Sequence, residues 1–172
     1  MTKKNTEKEL RRLTDIEYSN FERMCPANQN PVLSVLRAHL LTEYYMERIF
    51  HLMLPRGDML SDANLSYAQK ISLLEALAKI EDRTIHCLKN LNRVRNRCAH
   101  EYDKTITQAD VELIGRPLGR EHTEIRRKHV DDVTCYLREI LFCICRNVTG
   151  EIYALEQGIL SDGKDTENEK DE

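Results

Sequence analysis

A basic segment that ends in a histidine is the part of this sequence whose residue types and spacing could do chemistry. Residues 89–103 read KNLNRVRNRCAHEYD, in a chain of formal net charge −3. Arg93, Arg95 and Arg97 precede His100. Histidine can move a proton near neutral pH, and arginine offers a planar fork of donors that matches phosphate oxygens. The segment therefore combines a side chain that can transfer a proton with side chains that can bind an anion.

A helical conformation would sort these side chains onto different faces. At about 100° per residue, one face carries four polar or basic side chains: Arg93, Asn96, Arg97 and His100. Arg95 lies on another face, which is otherwise mostly apolar. A guanidinium keeps its proton and is costly to bury without a partner. Arg95 therefore requires either an acidic neighbour, for which Glu43 is one candidate, or an anionic ligand.

The string Arg95-Asn96-x-x-x-His100-x-Tyr102 resembles the R-x4-6-H motif of the HEPN superfamily in its R-N-x-x-x-H-x-Y form. Proteins of this superfamily are small and all-helical, and many are metal-independent endoribonucleases, often toxins of toxin–antitoxin pairs. They usually dimerise so that two copies of the motif share one cleft. The resemblance covers roughly residues 30–115.

The resemblance implies a catalytic role for three residues and no metal or cofactor. The ribose 2′-OH would attack the adjacent phosphorus, which leaves a 2′,3′-cyclic phosphate and a 5′-OH. His100 would act as acid and base, Arg95 would bind the phosphate and stabilise its developing charge, and Asn96 would support them. A homodimer would supply the second histidine.

The other residues of the segment leave alternatives open. Arg93 and Arg97 either lie on a solvated helix face or contact the RNA backbone, whereas Lys89 is best explained as a solvated side chain. Tyr102 would ordinarily be a half-buried bundle residue. In the H-x-Y form of the family a matching tyrosine can receive AMP from a nucleotidyltransferase antitoxin, so modification of Tyr102 is the alternative.

The composition favours an all-α fold, and the resemblance implies a HEPN-like helical bundle of four to five main helices. The 172 residues are 41% hydrophobic and 32% charged, with 6 Gly, 4 Pro and no Trp. The 6 cysteines do not form a disulfide framework, and Cys143 and Cys145 point to different helix faces, so we expect no metal site. We expect a cytoplasmic protein, since no apolar run suits a membrane and no secretory signal is present.

Sequence patterns divide the chain into three parts: an N-terminal helix and linker over 1–29, the bundle over 30–158, and a disordered acidic tail over 159–172. Within them we predict helices over 5–24, 31–54, 67–80 and 81–103, a short helix capped by Thr107, and one long helix over 121–157. Asn30 and Pro31 mark the start of the second helix.

A non-catalytic function is the main alternative. Some related bundles, similar to the mannitol operon repressor, act as regulators or interaction modules, and the Arg–His cluster would then bind a nucleotide or brace a dimer. The complete motif string favours the enzyme, and the lack of a broad basic groove favours the alternative. A DNA-binding repressor is less well supported, since no helix–turn–helix with a basic recognition helix is evident.

Overall fold

The computed structural model of the chain describes residues 3–78 and 80–157, which form α-helices and short 3-10 segments without a strand. The helices are α1 (Lys3–Met24), α2 (Pro31–Met53), α3 (Tyr67–Ala76), α4 (Asp82–His100), α5 (Gln108–Gly115), α6 (Arg120–Lys128) and α7 (Val133–Glu156). The 3-10 segments are Gly57–Ser61 and Arg116–Leu118. The predicted all-α class is confirmed. The count of seven helices does not establish the finer expectation of four to five main helices.

Two long helices, α2 and α7, pack along each other and form the centre of the fold. The start of α2 is as predicted: Pro31 opens the helix, and the Asn30 side chain accepts a hydrogen bond from the backbone N–H of Val32 at 2.8 Å. Around this pair lie α1, α4, α5 and α6, while α3 fills the angle between α2 and α4. The helix that contains the motif, α4, therefore packs against α2, α3, α5 and α7.

The N-terminal helix α1 shares this core. Phe21 is buried, and its ring lies 5.6 Å from that of Phe142 on α7. The Tyr45 hydroxyl on α2 donates to the buried carboxylate of Glu17 at 2.7 Å. The core therefore includes α1 as well as the helices that follow residue 30. The acidic tail over 159–172 lies outside the described residues.

The prediction of one helix over 121–157 is wrong. The segment forms two helices, α6 and α7, separated at His129–Asp132. The Asp132 side chain accepts a hydrogen bond from the backbone N–H of Cys135 at 2.9 Å, which caps α7. Val130, which lies between the two helices, is 60% exposed. The helix α3, predicted over 67–80, ends at Ala76. Two residues later, Ala78 has a φ of 50°, which is not a helical conformation. The predicted stop at Gly158 lies outside the described residues.

The cysteines serve packing rather than cross-linking. All six are free thiols, and Cys25, Cys87, Cys143 and Cys145 are buried. Burial raises the pKa of the Cys25 thiol to about 11 and that of Cys87 to about 12. These thiols stay protonated near neutral pH, so they behave as small apolar side chains. Within residues 3–78 and 80–157, no helix is both apolar enough and long enough to cross a lipid bilayer.

Candidate functional site

The last two turns of α4 present the polar motif to solvent. Leu88, Leu91 and Val94 of this helix are fully buried, so they fix its inner face against the bundle. Asn96 and His100 are exposed on the outer side, as the helical periodicity predicts. His100 is the last residue of α4. The motif therefore lies at a helix end, on a surface that a large ligand can approach.

Arg95 lies at the boundary between the buried and exposed faces. It is partly buried, and its Nη1 donates to Oδ1 of Asn96 at 3.2 Å. The suggested partner Glu43 instead accepts from Nζ of Lys70 at 2.7 Å, and that lysine also binds Glu47 at 2.6 Å. Among the described side chains, which are those of residues 12–60, 62–78 and 80–157, no carboxylate lies within 4.0 Å of the Arg95 guanidinium. Glu43 is therefore not its partner, and the need for an anion remains.

A buried polar network that the sequence reading missed lies behind Arg95. His39 on α2 is 4% exposed, and its Nε2 lies 3.1 Å from Oδ1 of Asn92 on α4. Because an amide oxygen only accepts, Nε2 carries the proton. The His39 ring stacks on Tyr67 with centroids 3.7 Å apart, and the Tyr67 hydroxyl lies 2.8 Å from Oγ1 of Thr42. The network ties α2, α3 and α4 together one turn before Arg95.

The pKa of His39 is lowered from its ordinary value of 6.5, chiefly because burial disfavours the charged ring. The hydrogen bond to Asn92 opposes this effect, and the positive charge of Arg95 adds to it. His39 is therefore neutral beside Arg95, so it does not compete with Arg95 for an anion. In the sequence, the one sign of this buried network was a histidine among the apolar residues of α2.

Asp110 is the second functional residue that the sequence reading missed. It is 3% exposed, and its Oδ2 accepts from Nζ of Lys104 at 2.9 Å and from the backbone N–H and hydroxyl of Thr107, each at 3.0 Å. Nη2 of Arg97 lies 2.7 Å from Oδ1 as an ion pair, without the alignment of a hydrogen bond. Asp110 therefore fastens the segment after α4 to the start of α5.

The basic residues of the segment differ in whether a carboxylate meets their charge. Lys89 binds Glu75 on α3 at 2.8 Å, so its role is structural. Arg97 is engaged by Asp110, although 41% of its side chain is exposed. Arg93 is exposed and donates only a long hydrogen bond of 3.5 Å to Asn90, with no carboxylate in range among the described side chains. Arg93 and Arg95 are thus the arginines of the segment that pair with no carboxylate among the described side chains.

Tyr102 lies in the turn after α4 and is 101% exposed. Its interpretation as a half-buried bundle residue is therefore wrong, because α4 has already ended at His100. Its side chain is fully accessible to solvent. Arg95 and His100 are about 140° apart around the helix axis, since five residues separate them. In the described part of the chain no hydrogen bond joins them, so one protomer does not bring the two side chains together.

We find no group of three His, Cys, Asp or Glu side chains that could hold a metal ion within the described residues. No family model, curated protein or solved structure matches the chain. Its function is therefore argued from the geometry of α4 and the side chains around it.

Proposed function

We propose that the chain is a metal-independent endoribonuclease of the HEPN type that acts as a homodimer. The observation that carries this proposal is the exposure of Asn96 and His100 at the end of α4, next to a partly buried Arg95 that has no carboxylate partner among the described residues. A guanidinium in that position is a site for a phosphate oxygen. The exposed imidazole of His100 suits transfer of a proton from a ribose hydroxyl.

The reaction is an internal phosphoryl transfer. His100 takes the proton of the 2′-OH as its oxygen bonds to phosphorus, and the bond from phosphorus to the 5′-oxygen breaks. The leaving oxygen takes a proton from His100 of the partner subunit. Arg95 stabilises the charge on the phosphorane oxygens, and Asn96 holds the Arg95 guanidinium through its Oδ1. The products are a 2′,3′-cyclic phosphate and a 5′-OH.

Two features support a dimer. Arg95 and His100 of one protomer lie on different faces of α4, so a second protomer is needed to bring both groups to one phosphate. The face of α2 opposite the core carries three exposed apolar side chains: Leu33 (40%), Leu40 (60%) and Tyr44 (54%). Covering them with a second copy would remove apolar surface from water.

A toxin role in the cytoplasm, restrained by an antitoxin, follows from the same resemblance. The full exposure of Tyr102 supports its modification by a nucleotidyltransferase-like antitoxin. Because Tyr102 is two residues after His100, a nucleotide on its hydroxyl would obstruct the cleft. The negative charge of the added phosphate would also compete for Arg95.

The charge pairing favours one alternative, a non-catalytic regulatory or nucleotide-binding protein. Carboxylates engage Lys89, Arg97 and Lys104, which removes much of the basic surface that a long RNA would need. Under this alternative the Arg95 site holds a single nucleotide. It predicts binding of a mononucleotide without cleavage of RNA.

Cleavage of a structured RNA by the full chain, with and without EDTA, tests the proposal. We expect wild type to cleave equally well in both, and His100→Ala and Arg95→Ala to lose at least a hundredfold in rate. Induced expression should arrest growth with wild type, but not with His100→Ala or Arg95→Ala. Arg127→Ala, an exposed α6 position, is the control and should cleave as wild type does. Equal cleavage by His100→Ala, or loss of cleavage in EDTA, would contradict the proposal.

A further inference from the structure

A cleft between α4 and the α5 region lies beside the candidate site and is not used by the proposed chemistry. Its volume is about 550 Å³. The α4 wall includes Asn90 and Arg97, and the opposite wall includes Leu113, Arg116 and Pro117. Asn90 joins the two walls, since its Nδ2 donates to the Leu113 carbonyl at 2.7 Å. This hydrogen bond fixes the distance between the two walls at that point.

The position of Arg97 connects this cleft to the motif. On α4, Arg97 precedes His100 by three residues, which is about 4.5 Å along the helix axis. Asp110 holds its Nη2, and the rest of the side chain, 41% exposed, remains available to a ligand. Arg93, one turn earlier on the same face, is exposed. A polymer that reaches His100 can therefore follow α4 into the cleft.

The charges of the cleft favour an anion despite two carboxylates in its walls. Asp110 is neutralised by Lys104 and Arg97, and Glu112 by Arg126 at 3.0 Å. Arg116 is exposed, and its side chain has no carboxylate within 4.0 Å among those described. Because the acids are already paired, the charge of Arg116 is left for a ligand.

Apolar side chains complete the cleft. Ala109, Leu113 and Pro117 line it between the charged groups. A nucleobase has a flat apolar face joined through its sugar to a phosphate, so it matches a wall of this kind next to two arginines. A simple inorganic anion would leave the apolar wall uncovered.

We infer that this cleft binds one nucleotide of the RNA next to the cleaved phosphate, with the base against Leu113 and Pro117 and a phosphate beside Arg97 and Arg116. The inference rests on the proposed function for its choice of RNA. It assigns to Arg116 a binding role that the motif does not include. It also provides an RNA path along α4 in a protein without a broad basic groove.

Binding of a 2′-O-methyl oligoribonucleotide to the full chain tests the inference without cleavage, since its nucleophile is blocked. We expect Arg116→Ala to raise the Kd about tenfold and to reduce the salt dependence of binding by about one phosphate contact. Ala109→Leu, which fills the exposed apolar wall, should raise the Kd severalfold with an unchanged salt dependence. Arg127→Ala, an exposed arginine of α6, is the matched control and should stay within twofold of wild type.

The outcomes separate this inference from the proposed function. Equal Kd values for Arg116→Ala and Arg127→Ala would overturn the nucleotide cleft, even in a protein that cleaves RNA. Binding that depends on Arg116, in a protein that cleaves no RNA, would support the cleft and overturn the proposed chemistry. Arg116→Lys, which keeps the charge, should recover part of the affinity, and no recovery would count against a phosphate contact.

Discussion

Asp110 determines how the segment that follows His100 is held against the bundle. Its buried carboxylate accepts from Lys104 and Thr107 and pairs with Arg97. Asp110→Asn keeps the shape of the side chain but removes the charge and one acceptor. We expect it to lower the free energy of unfolding by about 2 kcal/mol, as measured by urea denaturation at pH 7. Asp103→Asn, exposed in the same segment, should have little effect.

The acid sensitivity of the protein should depend in part on the same carboxylate. Burial alone would raise the pKa of Asp110, but the bonds from Thr107 and Lys104 and the nearby Arg97 lower it below its ordinary 3.8. The unfolded chain therefore takes up the proton first as pH falls. The stabilisation that the ionised Asp110 gives the folded state is complete above the ordinary pKa of 3.8. It is lost as pH falls through the lowered pKa of the folded state. In Asp110→Asn this part of the pH dependence should vanish.

The lowered pKa of His39 predicts a second change of stability with pH, at a less acidic pH. Since its pKa is lowered, the unfolded state binds a proton below pH 6.5 before the folded state does. The free energy of unfolding should therefore decrease as pH falls from 6.5, by at most about 1.4 kcal/mol per pH unit for one proton. His39→Gln should flatten this decrease, whereas the exposed His51→Gln on the same helix should not. Equal slopes in both variants would show that His39 is not the group responsible.

Residue types predicted the exposed site better than they predicted its supports. The exposure of Arg93, Asn96 and His100 follows from helical periodicity, which is a local property of the sequence. The pairing of His39 with Asn92 joins residues 53 positions apart, and no local pattern specifies it. The same reason explains why the sequence offered Glu43 as one candidate partner for Arg95, although its carboxylate binds Lys70.

At the scale of the elements, the N-cap residues predicted the starts of helices more accurately than other sequence signals predicted helix ends. Thr107 and Asp110 form a capping box at the start of α5, and Ser66 and Gln69 form another at α3. These signals are short-range, so the starts of α2, α3 and α5 were predicted correctly. The break between α6 and α7 was missed because Val130, three residues before Val133, extends the apolar spacing of α7 into the break, although α6 itself has only Ile125 as an apolar residue.

Asp132 should be the residue that starts α7 after this break. Its side chain caps the helix through the backbone N–H of Cys135. We expect Asp132→Ala to lower the melting temperature by roughly 2–4 °C, because an N-cap bond is lost. Differential scanning calorimetry would measure the change. Asp131→Ala, the exposed neighbour, is the control, and an equal shift in both variants would argue against the cap.

At the scale of the whole molecule, the proposed function requires a second protomer. Wild type should sediment at twice the chain mass of 20.2 kDa. Leu40→Asp on the outer face of α2 should give monomers with little cleavage of RNA, since Leu40 is 60% exposed and its burial would favour association. Leu52→Asp, also exposed on α2 but towards another side, should remain dimeric. A monomeric wild type that cleaves RNA would contradict this arrangement.

The all-helical class could be predicted because periodicity and the scarcity of glycine and proline act throughout the chain. The place of α1 in the core could not, since it depends on contacts such as Phe21 with Phe142 and Arg138 with Glu22. The cleft between α4 and α5 is also a product of packing. Arg116 and Pro117 are 19 and 20 residues beyond Arg97, and only the fold brings them beside it.

The chemical identity of the RNA ends is the most direct test of the central claim, that His100 and Arg95 promote attack by the ribose hydroxyl without a metal. An end-labelled RNA would be treated with the full chain in EDTA and the products analysed by mass spectrometry. We predict 2′,3′-cyclic phosphate and 5′-OH ends with wild type and with His51→Ala, and none with His100→Ala. Products with 3′-OH and 5′-phosphate ends, or intact RNA throughout, would contradict the account.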